Sequence, residues 1–184
     1  QSQLLSEAQK DSVAVYMPEL GQNVLDFNEK LEKELSFINE KGKSRICTLP
    51  EDKINSDDIL SVILEPYRGR PVLIDLWETT CGSCRLAFKN MHEKKNELYG
   101  RIHFVNIASE QSDADTWQRL VPSYIGDHYR LSNEQLKALH QQLPCDTSSV
   151  PVWLFINSDG SIHHTFVGGG DVNKLMNDLE QFLQ

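Results

Sequence analysis

The sequence predicts an α/β fold: a central sheet with flanking helices, preceded by an amphipathic helix. Three observations predict it. First, a β-rich apolar run over residues 71–77 passes directly into a segment with helical spacing, 85–99. Second, an alternating, β-branched run over 102–107 follows that helix. With a strand over 45–49 and a helix over 57–66 before them, the order strand, helix, strand, helix around residues 71–99 argues for a βαβ unit. Third, two runs over 152–157 and 161–167 flank Asn157-Ser158-Asp159-Gly160, a hairpin turn signal.

Taken in order, residues 1–19 are polar and carry no firm element. Leu20, Val24, Phe27, Leu31, Leu35 and Ile38 then recur at steps of four and three and line one face. That spacing predicts a helix over 20–40, stopped at Lys41-Gly42. Its apolar stripe needs a partner. Either it packs on the domain's own surface, or it meets another subunit or a missing N-terminal domain or membrane anchor. Residues 45–49 form a first strand, and Pro50-Glu51-Asp52 a turn. Ser56 is placed to cap a helix over 57–66, with Ile59, Leu60, Ile63 and Leu64 inward.

Beyond the run at 102–107, a helix is expected near 113–124, with no element assigned to Gly126-Asp127-His128-Tyr129-Arg130. Ser132-Asn133-Glu134-Gln135 reads as a capping box for a helix ending near 143–144. After the hairpin and Gly168-Gly169-Gly170, Asp171 is expected to cap a last helix with Val172, Leu175, Leu179 and Phe182 inward.

At 184 residues the chain is long enough for one well-buried domain with an appendage. Hydrophobic residues make up 39% and charged residues 24%, as in a soluble globular chain. A net charge of −9 with no basic stripe argues against nucleic-acid or anionic-membrane partners. The longest apolar stretches are strand-length, so no transmembrane segment is expected. Gln1 is an unusual native start, and the chain reads as a mature form whose targeting segment has been removed.

The chemistry concentrates in Cys81-Gly82-Ser83-Cys84, between the run at 71–77 and the helix that follows. Cys-x-x-Cys at a strand-to-helix junction is the arrangement thiol–disulfide exchange requires. The two sulfurs lie one turn apart. The first thiol sits at the helix N-terminus, where unpaired N–H groups and the helix dipole stabilise a thiolate. Cys81 is therefore the nucleophile, and Cys84 the resolving thiol. Cys-x-x-Cys also serves as half of a zinc site, but that needs a second ligand pair. Cys47 and Cys145 are single and far apart in sequence. They read as buried small hydrophobes, with a bridge between them as the alternative in an oxidising compartment. His163-His164 point to opposite faces of a strand and read as non-metal residues. Asp75, in an otherwise apolar run, shares a face with Leu73 and Trp77. Its apolar surroundings raise its pKa. Glu78 is either solvated or close enough to Cys81 to raise that thiol's pKa.

The stretch Asp75-Leu76-Trp77-Glu78-Thr79-Thr80-Cys81-Gly82-Ser83-Cys84-Arg85 resembles the thioredoxin superfamily, and within it the TlpA/ResA-like disulfide reductases. Ser149-Val150-Pro151 through Asp159-Gly160 resembles the same family's Val-Pro-strand-Asp-Gly hairpin. The segment after Gly126 also looks like one found in a subset of TlpA-like proteins. The resemblance covers residues 45–184. Thr80 stands where the family usually has Trp, and Ser83 where it usually has Pro; both bear on redox potential and partner choice.

The resemblance implies a thioredoxin-like fold over 45–184, with a central mixed β-sheet flanked by helices, and an N-terminal extension over 1–44. It implies that Asp75 accepts the proton of Cys84. It also implies a cis Val150–Pro151 bond facing the cysteines, where Val150 and Pro151 receive an extended substrate, with Trp77 beneath. The implied activity is reduction of protein disulfides by the Cys81/Cys84 pair, with no bound cofactor or metal. The implied partners are protein disulfides and a thiol electron donor, and the implied location is the bacterial periplasm or cell envelope. Two alternatives stand beside it. One is a non-catalytic interaction module on the same fold. The other is a peroxiredoxin, which usually has Thr three residues before its nucleophile, where this chain has Glu78.

Overall fold

The structure is a computed structural model and describes residues 22, 24–26, 42–53, 58–168 and 172–183. The chain divides between Gly42 and Lys43 into two units. In the first, residues 22 and 24–26 are helical, and Gln22 Nε2 donates to Asp26 Oδ1 at 2.8 Å. The rest of the helix expected over 20–40 lies outside the described residues. So do Ser56 and Asp171, the expected caps.

The second unit is built on six strands: β1 Ser44–Ile46, β2 Val72–Leu76, β3 His103–Ser109, β4 Gly126–Leu131, β5 Val152–Ile156 and β6 Ile162–Val167. They lie side by side in the order β1-β4-β3-β2-β5-β6. The β1–β4, β4–β3 and β3–β2 pairs are parallel, and the β2–β5 and β5–β6 pairs antiparallel. The sheet is therefore mixed. β2 lies inside it, and all five of its residues are buried, which is why it reads as an unbroken apolar run.

Among the described residues the unit has five α-helices: α1 Ile59–Leu64, α2 Gly82–Leu98, α3 Ala114–Leu120, α4 Asn133–Gln141 and α5 Val172–Phe182. The cap of α1 is Asp58, whose carboxylate accepts the Ser61 N–H at 3.1 Å. The expected capping box of α4 forms, with Ser132 and Gln135 bonded reciprocally. One sheet face packs Val72, Ile74 and Leu76 with Ile59 and Ile63 of α1 and Leu139 of α4. The other packs Leu73, Phe104, Trp153 and Phe155 with Ala87 and Met91 of α2 and Leu175 and Leu179 of α5. Each fully buried large side chain contributes about 1.5–3 kcal/mol. On α2 the buried positions are Cys84, Ala87, Phe88, Met91, Lys95 and Leu98, one stripe at helical spacing.

β4 is the element the sequence pattern leaves out. Its alternation is broken by Asp127 and Arg130, half-buried side chains with tertiary partners. Asp127 accepts from Arg45 and from the Tyr67 hydroxyl, and Arg130 donates to the Ser112 and Glu110 carbonyls. Gly126 opens the strand at φ +127°, and a Cβ there would meet the Phe104 carbonyl at 2.5 Å. Only glycine lets β4 approach β3 so closely at this point.

Candidate active site

The parallel strands β2 and β3 end at the same edge of the sheet, and the cysteine pair stands there, at the head of α2. In open α/β sheets this carboxyl edge is where ligands bind. Trp77 N–H bonds the Ile107 carbonyl at 3.0 Å, extending the β2–β3 pairing by one residue before the chain turns. Cys81 N–H then bonds the Glu78 carbonyl at 3.0 Å, closing a tight turn onto the helix.

Cys81 and Cys84 form a disulfide with an S–S distance of 2.07 Å. Cys81 is the N-cap of α2, and its Sγ accepts the Cys84 N–H at 3.1 Å. The sulfur therefore lies where the helix's unpaired amides and positive end point, which lowers the energy of a thiolate formed there. Cys81 is partly exposed and Cys84 is 1% exposed. Ser83 Oγ lies 3.3 Å from Cys81 Sγ. The Val150–Pro151 bond is cis, and the Val150 carbonyl oxygen is 3.7 Å from Cys81 Sγ. Pro151 is buried, and its carbonyl accepts the Gly168 N–H at 2.9 Å, tying the segment to the end of β6.

Trp77 is 1% exposed and packs in the same cluster as Cys84, with Cys81 against it. Its ring meets Phe88 and Tyr124 edge-on at 5.2 and 5.5 Å, and those two rings stack on each other at 4.1 Å. Trp77, Cys84 and Phe88 belong to one apolar cluster with Ala108, Trp117 and Val121.

Asp75 is 1% exposed, on the α2 side of the sheet with Leu73 and Trp77. Neither carboxyl oxygen has a hydrogen-bond partner among the described residues. Burial pushes the carboxyl up to about 6. The Lys95 ammonium opposes that rise, as does a weaker pull from the Trp153 indole, which falls short of ordinary hydrogen-bond geometry.

The sequence reading does not single out Lys95, Asn106 or His128. All three are buried. Asn106 stands beside Asp75 in the β2–β3 register, and His128 beside Asn106 in the β3–β4 register. Lys95 comes down from α2, donates to Asn106 Oδ1 at 3.2 Å, and lies over the rings of Phe88 and Phe104. Burial pushes its amine down to about 8, opposed by Asp75. Burial likewise pushes His128 down to about 4, and its Nε2 donates to the Tyr124 carbonyl at 2.8 Å. The one sequence signal for Lys95 is its place on the apolar stripe of α2, seven residues after Phe88.

Glu78 is half-buried. Its Oε1 accepts the Ser109 N–H at 3.1 Å and its Oε2 the Ser112 hydroxyl at 2.5 Å. Cys47 and Cys145 are free thiols, partly rather than fully buried against the α1–α4 side of the core, and burial pushes both up. The bridge between them considered from sequence does not form. Among the described residues there is no cluster of three His, Cys, Asp or Glu side chains able to hold a metal ion. None of the described helices is long and apolar enough to cross a membrane.

No family model and no curated protein matches the chain. Solved structures do. A thiol:disulfide interchange protein from Bacteroides sp. matches with a TM-score of 0.55 at 18% identity, over 65% of this chain and 77% of that one. A thioredoxin-family thiol:disulfide interchange protein from Chlorobium tepidum matches at 0.53 and 15%, over 66% and 85%. A secreted disulfide oxidoreductase from Mycobacterium tuberculosis matches at 0.50 and 16%, over 64% and 85%. With the mixed six-stranded sheet and its helices, these likenesses establish the architecture: the chain has the thioredoxin-like fold.

Proposed function

We propose that the protein is a thiol–disulfide oxidoreductase that reduces protein disulfides. The observation that carries this reading is the Cys81–Cys84 disulfide, with a half-exposed sulfur capping α2 and its buried partner one turn inside. In the dithiol form the Cys81 thiolate attacks one sulfur of a substrate disulfide. A Cys81–substrate bond forms, and the other substrate sulfur leaves as a thiolate that takes up a proton. Cys84 then gives its proton to Asp75 and attacks the Cys81 sulfur. The bond to the substrate breaks, the second substrate thiol is released, and the Cys81–Cys84 disulfide remains. A thiol electron donor restores the dithiol. Two electrons pass from the cysteine pair to the substrate in each turn.

Asp75 suits the proton transfer because its carboxyl titrates near neutral pH and shares the α2 side of the sheet with Cys84. Val150 and Pro151 would align an extended substrate segment along Cys81. Trp77 would keep the underside of the pair dry. The likeness to a secreted oxidoreductase supports work in an oxidising compartment outside the cytoplasm, such as the periplasm or envelope.

The test is insulin reduction with a dithiol donor, with free thiols counted before and after oxidation. The expected result is catalysed insulin precipitation and a loss of two thiols on oxidation. A protein with unchanged thiols and no effect on insulin would instead be a binding module on this fold.

A further inference from the structure

The turn that carries Cys81 is held from below by a carboxylate. Glu78 Oε1 accepts the backbone N–H of Ser109, and Oε2 accepts the hydroxyl of Ser112. That hydroxyl accepts the Thr79 N–H at 2.8 Å. Ser109, Ser112 and Thr79 are all buried. The 109–112 segment is itself tied down, by Ser112 N–H to the Ser109 carbonyl at 3.1 Å and by Arg130 of β4 to the Ser112 and Glu110 carbonyls. The carboxylate is therefore fixed, and Glu78 makes no ion pair among the described residues. The titratable group recorded against it is His140 of α4, which burial biases toward the neutral form, and the charged group nearest along the clamp is Arg130, held on the Ser112 and Glu110 carbonyls. The Cys81 N–H bond to the Glu78 carbonyl closes the turn between them, which holds the two Cα atoms within about 7 Å.

We propose that Glu78, clamped by Ser109 and Ser112, is a positioning residue that tunes the Cys81/Cys84 pair toward electron donation. This rests on the oxidoreductase reading above. The disulfide carries no charge, whereas the reduced form places a thiolate on Cys81. A fixed negative charge within one turn opposes only the second state. It raises the thiol's pKa and shifts the couple toward the disulfide, so the dithiol gives up its electrons more readily. The clamp also fixes the Glu78 carbonyl that receives the Cys81 N–H, and hence the place of the nucleophile.

The test is redox equilibrium of the full chain with glutathione: protein dithiol plus glutathione disulfide gives protein disulfide plus two glutathione. Glu78→Gln keeps the shape and removes the charge. It should shift the equilibrium toward the dithiol by threefold or more, a potential about 14 mV more positive at about 30 mV per tenfold. The pH midpoint of Cys81 alkylation should fall in the same variant. Glu78→Asp keeps the charge and should stay within twofold of the wild type. Equal constants for wild type and Glu78→Gln overturn the proposal, as does a Glu78→Asp shift as large as that of Gln. If Glu78→Gln does not fold, Ser112→Ala decides: freeing the carboxylate into water should shift the couple the same way, and an unchanged constant overturns the proposal. A wild-type chain that forms no Cys81–Cys84 disulfide in these buffers fails earlier, on the oxidoreductase reading, and removes this proposal with it.

Discussion

Cys81 and Cys84 are three residues apart, yet one meets solvent and the other is sealed over Trp77. That difference assigns their proposed roles. Cys84→Ser should accumulate substrate proteins as mixed disulfides, because attack survives and resolution is lost. Cys81→Ser should accumulate few. A non-reducing gel after thiol blocking reads both, and adducts on Cys81→Ser alone would reverse the assignment. Asp75 supplies a second test. Asp75→Asn should slow release of the mixed disulfide roughly tenfold or more while its formation changes little, and equal slowing of both steps would contradict a proton-acceptor role. The same carboxyl links stability to pH. Its folded value of about 6 lies above its ordinary 3.8, so the folded chain binds this proton more tightly. The resulting stability, about 3 kcal/mol, is fully present below about pH 4 and lost as pH rises through about 6. Unfolding midpoints of the wild type should therefore fall between pH 4 and 7, and those of Asp75→Asn should fall less.

At the scale of elements, α2 does three things. It presents its N-terminal amides to Cys81, packs Ala87 and Met91 on the sheet, and lowers Lys95 into the core. A buried ammonium is costly, and here two aromatic rings and Asn106 surround it. Replacing such a group by an apolar one of similar length is often neutral or stabilising. Lys95→Met should therefore fold. It should also remove the charge that favours ionised Asp75, so the pH midpoint of mixed-disulfide release should move upward. An unchanged midpoint would show that Lys95 serves packing alone. The fold itself brings Lys95 to this carboxyl: the helix contributes the lysine, β2 the Asp, and β3 the Asn that holds the lysine's end.

At the scale of the molecule, the division between Gly42 and Lys43 defines a truncation. Lys43 and Ser44 belong with the sheet, since the Lys43 carbonyl accepts the Gly126 N–H at 2.8 Å and Ser44 pairs with Gly126 in β1–β4. Deleting residues 1–42 should leave a cooperatively unfolding domain that reduces insulin. Loss of the unfolding transition, followed by circular dichroism, would show that the extension completes the core.

Much of this organisation was legible beforehand, for physical reasons. A strand buried on both faces must read as an apolar run, and a helix packed on one side must show its stripe. β2, α2, α4 and the hairpin were legible on those grounds. The cysteine spacing and its place after a strand also fixed where a disulfide could form. β4 was not legible, because Asp127 and Arg130 interrupt its alternation and find their partners only in β1, Tyr67 and the 109–112 segment. Lys95 was not legible either: on α2 it is one polar residue among apolar neighbours, and only the sheet beneath supplies Asn106 and Asp75. Glu78 read as solvated or as a neighbour of Cys81, and its bonds to Ser109 and Ser112 run to residues more than thirty positions away. The sequence by itself determined most of the local elements and the placing of the cysteine pair between strand and helix, because both depend on neighbours along the chain. Tertiary structure alone decided which buried charges meet, because those contacts join residues that only the closed sheet brings together.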